Sequence, residues 1–363
     1  MLTDEQYMRQ AIGFARMGKG NVSPNPLVGT IIVKDGKIVG KGYHQKFGEA
    51  HAEINAIRDA GENTKGATLY VNLEPCCHHG KTPPCTEAII KAGIKRVVVG
   101  MVDPNPLVNS QGINILRENG IDVKAGVVYE ECKELNKVFI KYIRTGLPFV
   151  TLKVAQSIDG RIATMNGHSK WITSEESRII VHKLRSEHDA VIIGAHTAKL
   201  DNPKLTVRHI SGRNPFRIVL DSHLNIPPES KLITDQYAKL TIIATSSTDK
   251  SKKALLKRGG VKIWDIPAAQ NGFLSLPDLL TKAASERISS LLIEGGSQVF
   301  TSFLRDKLVD EIIFMVAPKI IGDGIDAIGG LDTISVDRSI RLKNMRINQN
   351  NRDIIITAEV QYN

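Results

Sequence analysis

Thr68-Leu69-Tyr70-Val71-Asn72-Leu73-Glu74-Pro75-Cys76-Cys77-His78-His79-Gly80-Lys81-Thr82-Pro83-Pro84-Cys85 is the stretch that decides how this chain is read. Thr68 to Leu73 is β-branched and apolar, the pattern of a buried strand, and it delivers Glu74-Pro75-Cys76 at its end. Pro83 and Pro84 stop any strand, and Cys85-Thr86-Glu87-Ala88-Ile89-Ile90 opens the next helix. Upstream, residues 50–60 (AHAEINAIRDA) read as a helix with His51 in its first turn. Ala52, Ile54, Ala56 and Ile57 are available to its buried side. Helix, strand and helix can therefore converge their ends on one point.

The side chains gathered there are those of a metal site. His51, Cys76 and Cys85 supply one imidazole and two thiolates, and thiolates at helix N-termini form more easily than free ones. Three protein ligands leave the fourth tetrahedral position open, as catalytic zinc requires. Zinc lowers the pKa of a bound water to about 7. Glu53 lies two residues past the imidazole, where zinc deaminases keep a carboxylate that is not a ligand but moves protons. The pattern points to a hydrolytic deaminase. Cys76 follows proline as in the deaminase signature and is the expected ligand, with Cys77 packed behind it. A structural site with four protein ligands stays open if Cys77, His78 or His79 joins.

Length and composition set outer limits. A chain of 363 residues suggests two domains, each large enough for its own core. No apolar run approaches the ~20 residues that span a bilayer, and Met1 to Arg9 is polar and mixed. Four cysteines, two of them assigned to metal, make no disulfide framework. The expectation is a cytoplasmic protein with no membrane partner. The net charge of +10 raises a nucleic-acid reading. Yet the lysines and arginines form no block, and aromatics at 5% are too few for stacking platforms. No nucleic-acid partner is expected, and some of the cations are expected to face a phosphorylated metabolite.

Nucleobase deaminases usually carry two residues between their cysteines; here eight separate Cys76 from Cys85. That longer loop, with Ser23-Pro24-Asn25-Pro26-Leu27-Val28-Gly29 before the first strand, resembles the bifunctional riboflavin-biosynthesis deaminase–reductase family. The resemblance implies zinc on His51, Cys76 and Cys85, with Glu53 as the proton shuttle. It also implies that Asn25, His44, His78, Lys81 and Thr82 touch the substrate. Lys81 and Thr82 suit a phosphate, and Asn25 can pair with a pyrimidine edge.

After a boundary near Thr145-Gly146-Leu147-Pro148, short buried strands alternate with helices: residues 149–155, 190–194, 217–220, 240–245 and 291–293. Such alternation predicts an α/β sandwich on a largely parallel sheet. Glu294-Gly295-Gly296 follows the last of these strands and precedes a helix whose free N–H groups suit phosphate. It lacks the G-x-G-x-x-G spacing, so a standard Rossmann site is not expected.

Ser157-Ile158-Asp159-Gly160-Arg161, Ser169-Lys170-Trp171-Ile172-Thr173 and Leu205-Thr206-Val207-Arg208 resemble the same family's reductase domain, a relative of dihydrofolate reductase. The resemblance implies NADPH on Ala155, Trp171, Thr197, Asp201, Ser222, Gly296, Ser297, Gln298, Val299, Phe300, Thr301 and Ser302. It implies reductase substrate on Ser169, Arg185, Leu205, Arg208 and Glu294. Arg185 and Arg208 are natural phosphate forks. Lys153 and Asp201 are candidates for polarising the sugar, with a surface ion pair as the alternative. Relatives often carry Asp-Asp-Pro where this chain has Asp201-Asn202-Pro203, which keeps Asp201 but removes a neighbouring charge.

The expected fold is therefore α/β throughout. A cytidine-deaminase-like α/β/α domain spans residues 1–145, and a dihydrofolate-reductase-like α/β domain spans residues 146–363. The expected function is zinc-dependent deamination of 2,5-diamino-6-(5-phosphoribosylamino)pyrimidin-4-one, then NADPH reduction to 5-amino-6-(5-phosphoribitylamino)uracil. The expected partners are this phosphorylated pyrimidine ribotide, one Zn2+ per chain, NADPH, and further copies of the chain in a dimer or tetramer. Two alternatives stand beside it: a deaminase of another base or nucleotide with a drifted reductase half, and a non-catalytic zinc-stabilised nucleic-acid-binding protein.

Overall fold

The computed structural model describes residues 2–78, 83–105, 109–331 and 333–362. The chain divides into two units, Met1–Gly146 and Leu147–Asn363.

The first unit runs through α1 (Asp4–Arg16), β1 (Gly29–Lys34), β2 (Lys37–Tyr43), α2 (Ala52–Ala60), β3 (Thr68–Leu73) and α3 (Cys85–Lys91). It continues through β4 (Arg96–Met101), α4 (Gln111–Glu118), β5 (Asp122–Ala125), α5 (Tyr129–Leu135) and α6 (Lys137–Thr145). Its sheet has the order β2-β1-β3-β4-β5, with β3, β4 and β5 parallel and β1 antiparallel to both neighbours. The inner strands are buried on both faces, which explains their unbroken apolar runs. Leu69, Val71, Val97 and Val99 pack with Ala56, Ile89, Ile113 and Leu116 of α2, α3 and α4. Tyr70 and Val98 pack on the other face with Met8, Ile12 and Cys132 of α1 and α5. This is a three-layer α/β/α unit.

Two glycines set the seat of α2. A Cβ on Gly40 would lie 2.5 Å from Ala56 O, and one on Gly42 would lie 2.5 Å from Ala52 O. Only glycine lets the helix press so closely on β2, and that contact fixes the N-terminal end of α2, where His51 and Glu53 sit.

The second unit begins with β6 (Phe149–Ser157), β7 (Arg161–Thr164), α7 (Glu175–Glu187), β8 (Ala190–Gly194), α8 (Ala195–Asp201), β9 (Phe216–Leu220), α9 (Lys231–Thr234) and β10 (Thr241–Thr245). There follow α10 (Lys250–Arg258), β11 (Lys262–Asp265), α11 (Leu276–Ser285), β12 (Ser290–Gly295), α12 (Ser297–Arg305), β13 (Glu311–Ala317), β14 (Gly324–Asp326), β15 (Arg341–Asn350) and β16 (Asp353–Gln361). The main sheet has the order β11-β10-β9-β8-β12-β6-β13-β16-β15. It is parallel from β11 to β13, and β16 then runs antiparallel to β13 and β15. Leu279, Leu280 and Phe303 of α11 and α12 cover one face. Residues of α8, α9 and α10 cover the other, with Val181 of α7 packed nearby on Ile313 and Met315. Among the described residues no helix is long and apolar enough to cross a membrane.

Two differences from the sequence reading concern the site. The helix expected over residues 50–60 begins at Ala52, with His51 as its N-cap. Its buried residues are Ala52, Glu53, Ala56 and Ala60, so Ala52 and Ala56 turn inward as expected, Ile57 packs half-buried against the core, and the Glu53 carboxylate is buried beside them. The segment expected as a polar loop after β6 contains β7, which pairs antiparallel with β14.

Candidate functional site

In the first unit, β3 carries Cys76 past its carboxyl end, while α2 and α3 present His51 and Cys85 at their N-terminal ends. His51 Nδ1 lies 3.2 Å from Cys85 Sγ and 3.5 Å from Cys76 Sγ. All three donor atoms fall within 4.8 Å of one another. Tetrahedral zinc, with bonds of about 2.0 Å to nitrogen and 2.3 Å to sulfur, needs donors roughly 3.5–3.8 Å apart. The group fits zinc in chemistry and in size. The Cys85 N–H donates to Cys76 Sγ at 3.3 Å. Together with the Cys85 thiol and His51, it holds the Cys76 thiol down at about 4. Cys77 turns away, its Sγ 3.9 Å from Gln111 Oε1, and burial raises its thiol.

Glu53 is 3% exposed. Burial, with Cys76 adding to it, pushes the carboxyl up to about 7. His44 is buried beside His51, ring centroids 5.6 Å apart. Its Nδ1–H donates to Ala50 O at 3.1 Å, which leaves Nε2 to accept from Asn25 Nδ2 at 3.1 Å. Burial keeps this ring uncharged by lowering its pKa. His78 is exposed, and Lys81 and Thr82 lie outside the described residues.

One supporting residue was not assigned a role from sequence. Glu74 Oε2 accepts from the N–H groups of Asp103 and Ser110, both at 3.0 Å, and Oε1 from that of Ile113 at 3.2 Å. It thereby ties the turn before Cys76 to the loop after β4 and the start of α4. Its place in Glu74-Pro75-Cys76 was the only available signal.

In the second unit Ala155, Thr197, Ser222, Glu294 and Gly296 lie at or just past the carboxyl ends of β6, β8, β9 and β12, the usual ligand edge of an α/β sheet. Glu294, at the end of β12, has a side chain 6% exposed. Arg185 Nε and Nη2 meet its two oxygens at 2.6 and 2.9 Å, and Lys153 Nζ lies at 3.3 Å. Burial alone would raise this carboxyl; Arg185 and then Lys153 outweigh it and hold it at about 2. The guanidinium of Arg185, read from sequence as a phosphate fork, is thus filled by a carboxylate, with Nη1 on Thr206 O at 3.3 Å. Lys153 is buried, and its ion pair with Glu294 is a buried pair. Asp201 closes α8. Arg208 is exposed, and its Nη1 donates to Thr206 Oγ1 at 2.9 Å. Leu205 is buried with φ 51, and Ser169 is half-buried between β7 and α7.

Gly295 has φ 144, a conformation that favours glycine. A Cβ on Gly296 would lie 3.0 Å from Thr197 Oγ1, so the turn after β12 and the start of α8 form one cradle. Among the described residues no side chain caps α12. Ser297 and Ser302 are half-buried and Gln298 is exposed. Val299, Phe300 and Thr301 turn inward: Val299 packs on the core, Phe300 is 2% exposed, and Thr301 Oγ1 accepts from Gly329 N–H at 3.2 Å. Ala155 is half-buried on β6, and Ser222 follows β9 with its carbonyl accepting from Thr245 and Ser246. Trp171 is 64% exposed, with the Arg178 guanidinium 4.4 Å from its ring.

Comparison with known proteins agrees with both halves. Residues 1–101 match the cytidine and deoxycytidylate deaminase zinc-binding region, and residues 148–356 match the RibD C-terminal domain. The riboflavin biosynthesis protein RibD of Aquifex aeolicus is 45% identical over 97% of this chain and 97% of its own. Acinetobacter baumannii RibD superposes with a TM-score of 0.88 at 36% identity, covering 99% of both chains. The Thermotoga maritima diaminohydroxyphosphoribosylaminopyrimidine deaminase/5-amino-6-(5-phosphoribosylamino)uracil reductase gives a TM-score of 0.87 at 39% identity, covering 98% of both. With zinc-type donors in one unit, a glycine turn closed against α8 in the other and relatives matched nearly from end to end, the chain belongs to the RibD family of riboflavin biosynthesis proteins.

Proposed function

We propose that this chain carries out two successive steps of riboflavin biosynthesis, with residues 1–145 as the deaminase and 146–363 as the reductase. The first releases ammonia from 2,5-diamino-6-(5-phosphoribosylamino)pyrimidin-4-one with water as the other reactant. The second opens and reduces the ribosyl group to give 5-amino-6-(5-phosphoribitylamino)uracil. The single observation that carries the first step is the donor triangle of His51, Cys76 and Cys85 with the buried Glu53 carboxylate beside it.

His51 Nδ1, Cys76 Sγ and Cys85 Sγ would hold zinc, which when bound supplies polarisation of the attacking water. Glu53 takes one proton of that water and passes it to the ring nitrogen, then takes the second from the newly attached hydroxyl and gives it to the amino group, which departs as ammonia. Its burial excludes bulk water from this exchange. Asn25, fixed by His44, presents polar atoms to the pyrimidine edge, with His78, Lys81 and Thr82 as the remaining substrate contacts.

In the second unit the cradle at Gly296 and Thr197 accepts a nicotinamide cofactor, and NADPH is the form proposed. Ala155, Trp171, Asp201, Ser222 and the segment from Ser297 to Ser302 complete its bed, Val299, Phe300 and Thr301 through their backbone. The cofactor supplies the hydride. Lys153 and Glu294 lie at the sugar, with Ser169, Leu205, Arg185 and Arg208 as the other substrate contacts. Arg208 holds the phosphate, and Arg185 holds Glu294. The protein is proposed to act in the cytoplasm as a homo-oligomer.

The test is to assay ammonia release from the diaminopyrimidine ribotide and NADPH oxidation in the same preparation. Ammonia without NADPH, and NADPH oxidation only after deamination, is the expected result. Ammonia from cytidine or deoxycytidylate, but not from the ribotide, would overturn the substrate assignment.

A further inference from the structure

Arg178, His182 and Arg185 stand at i, i+4 and i+7 of α7, on one stripe of the helix. The first lies against Trp171 and the last is locked on Glu294. Packing alone does not account for the residue between them. His182 is 4% exposed, and a buried imidazole has two nitrogens to satisfy. The Arg208 backbone N–H reaches its Nδ1 at 3.3 Å, so Nδ1 accepts and the hydrogen of the uncharged ring sits on Nε2. The His209 ring meets His182 edge-on at 4.6 Å, which fixes the ring further.

Among the described residues nothing accepts the Nε2–H. Nor is Nε2 one of the sealed atoms without a partner, which are Thr30 Oγ1, Arg213 Nε, Arg217 Nε and Asp353 Oδ1. It therefore opens onto accessible space. Burial, then Arg185 and Arg208, lowers the pKa of the ring to about 4, so this donor carries no charge at neutral pH. Among the described residues Arg208 has only Thr206 Oγ1 as a side-chain partner, and burial and the nearby Arg185 lower its pKa. A guanidinium held beside another cation, with no carboxylate of its own among the described residues, is a site for an anion.

We propose that His182 completes this anion site, tying down the Arg208 backbone through Nδ1 and presenting Nε2–H beside the Arg208 guanidinium to a phosphomonoester. The inference rests on the reading of the second unit as a reductase of a phosphorylated ribotide, and it assigns a positioning and binding role to a residue that reading does not use.

The test compares reductase KM for the deaminated ribotide and for the same compound without its phosphate, in wild type, His182→Asn and His182→Gln. An asparagine amide reproduces the place of Nδ1, and a glutamine amide that of Nε2. His182→Asn should raise KM for the phosphorylated substrate about tenfold to a hundredfold, the size of a lost hydrogen bond to a charged group. It should leave KM for the unphosphorylated substrate and for NADPH unchanged, and His182→Gln should recover much of the loss. Deamination by the same preparations reports that the chain is folded. Equal losses on both substrates, or a fall in kcat with KM unchanged, would overturn the proposal. A wild-type enzyme with equal KM for the two substrates would remove the phosphate from Arg208 and His182 alike. A wild-type enzyme that reduced neither would remove the underlying reductase reading.

Discussion

Replacing Glu294 with glutamine tests the electrostatic centre of the second unit. The substitution keeps side-chain volume but leaves Arg185 and Lys153 buried without a counter-charge. Breaking a buried pair from one side costs about 3–5 kcal/mol. The carboxyl pKa gives an independent figure. It is about 2 in the folded protein against an ordinary 4.5, because Arg185 and Lys153 more than reverse the effect of burial. That difference corresponds to about 3 kcal/mol. A carboxyl whose folded pKa is depressed contributes its stability above its unfolded value and loses it as pH falls through the folded one. The contribution should be complete above about pH 4.5 and drain away toward pH 2. Calorimetry of the intact chain at neutral pH should therefore show the transition of Leu147–Asn363 lowered by about 6–20 °C in Glu294→Gln. The gap to wild type should close as the pH is lowered through that window. A shift of less than about 2 °C, or a gap that does not depend on pH, would refute the reasoning.

Other outcomes follow from the same geometry. Glu53→Gln should cut deamination by about 10²–10⁴-fold, with metal content and reductase activity unchanged. Loss of zinc from that variant would show the carboxylate to be a ligand. Cys76→Ser should lose zinc, measured by elemental analysis of the purified chain, whereas Cys77→Ser should keep it, since that thiol points at Gln111. Gly296→Ala should crowd Thr197 Oγ1. This should weaken NADPH by about 1–2 kcal/mol, or about tenfold in KM, while deamination proceeds as in wild type.

Much of this was legible in the sequence, for physical reasons that vary along the chain. Thr68–Leu73 could be read as a buried strand because both its faces are covered, leaving an unbroken apolar run. Arg341–Asn350 could not be read at all. It is an edge strand paired with β16, almost wholly exposed, and RLKNMRINQN shows no apolar alternation. In α2 the apolar pattern picked out Ala52, Ile54, Ala56 and Ile57 for the buried side, and Ala52, Ala56 and Ile57 do pack there, but the fold also buries Glu53. A carboxylate turned inward against its own pattern is what a working site demands. That His51, Cys76 and Cys85 would come together could be read because their spacing is itself the signal. The partner of Arg185 was not, since Glu294 lies 109 residues away and no local pattern links them. His182 gave no warning either: a single histidine in RIIVHKLRSE looks like any helical residue until the fold brings Arg208 onto it.

The most direct measurement incubates the zinc-loaded chain with the diaminopyrimidine ribotide and follows the products by mass spectrometry, with and without NADPH. The account predicts the deaminated ribotide alone when NADPH is withheld, and its conversion to the ribitylamino product when NADPH is supplied. An unchanged ribotide in the presence of bound zinc, or reduction that precedes deamination, would contradict it.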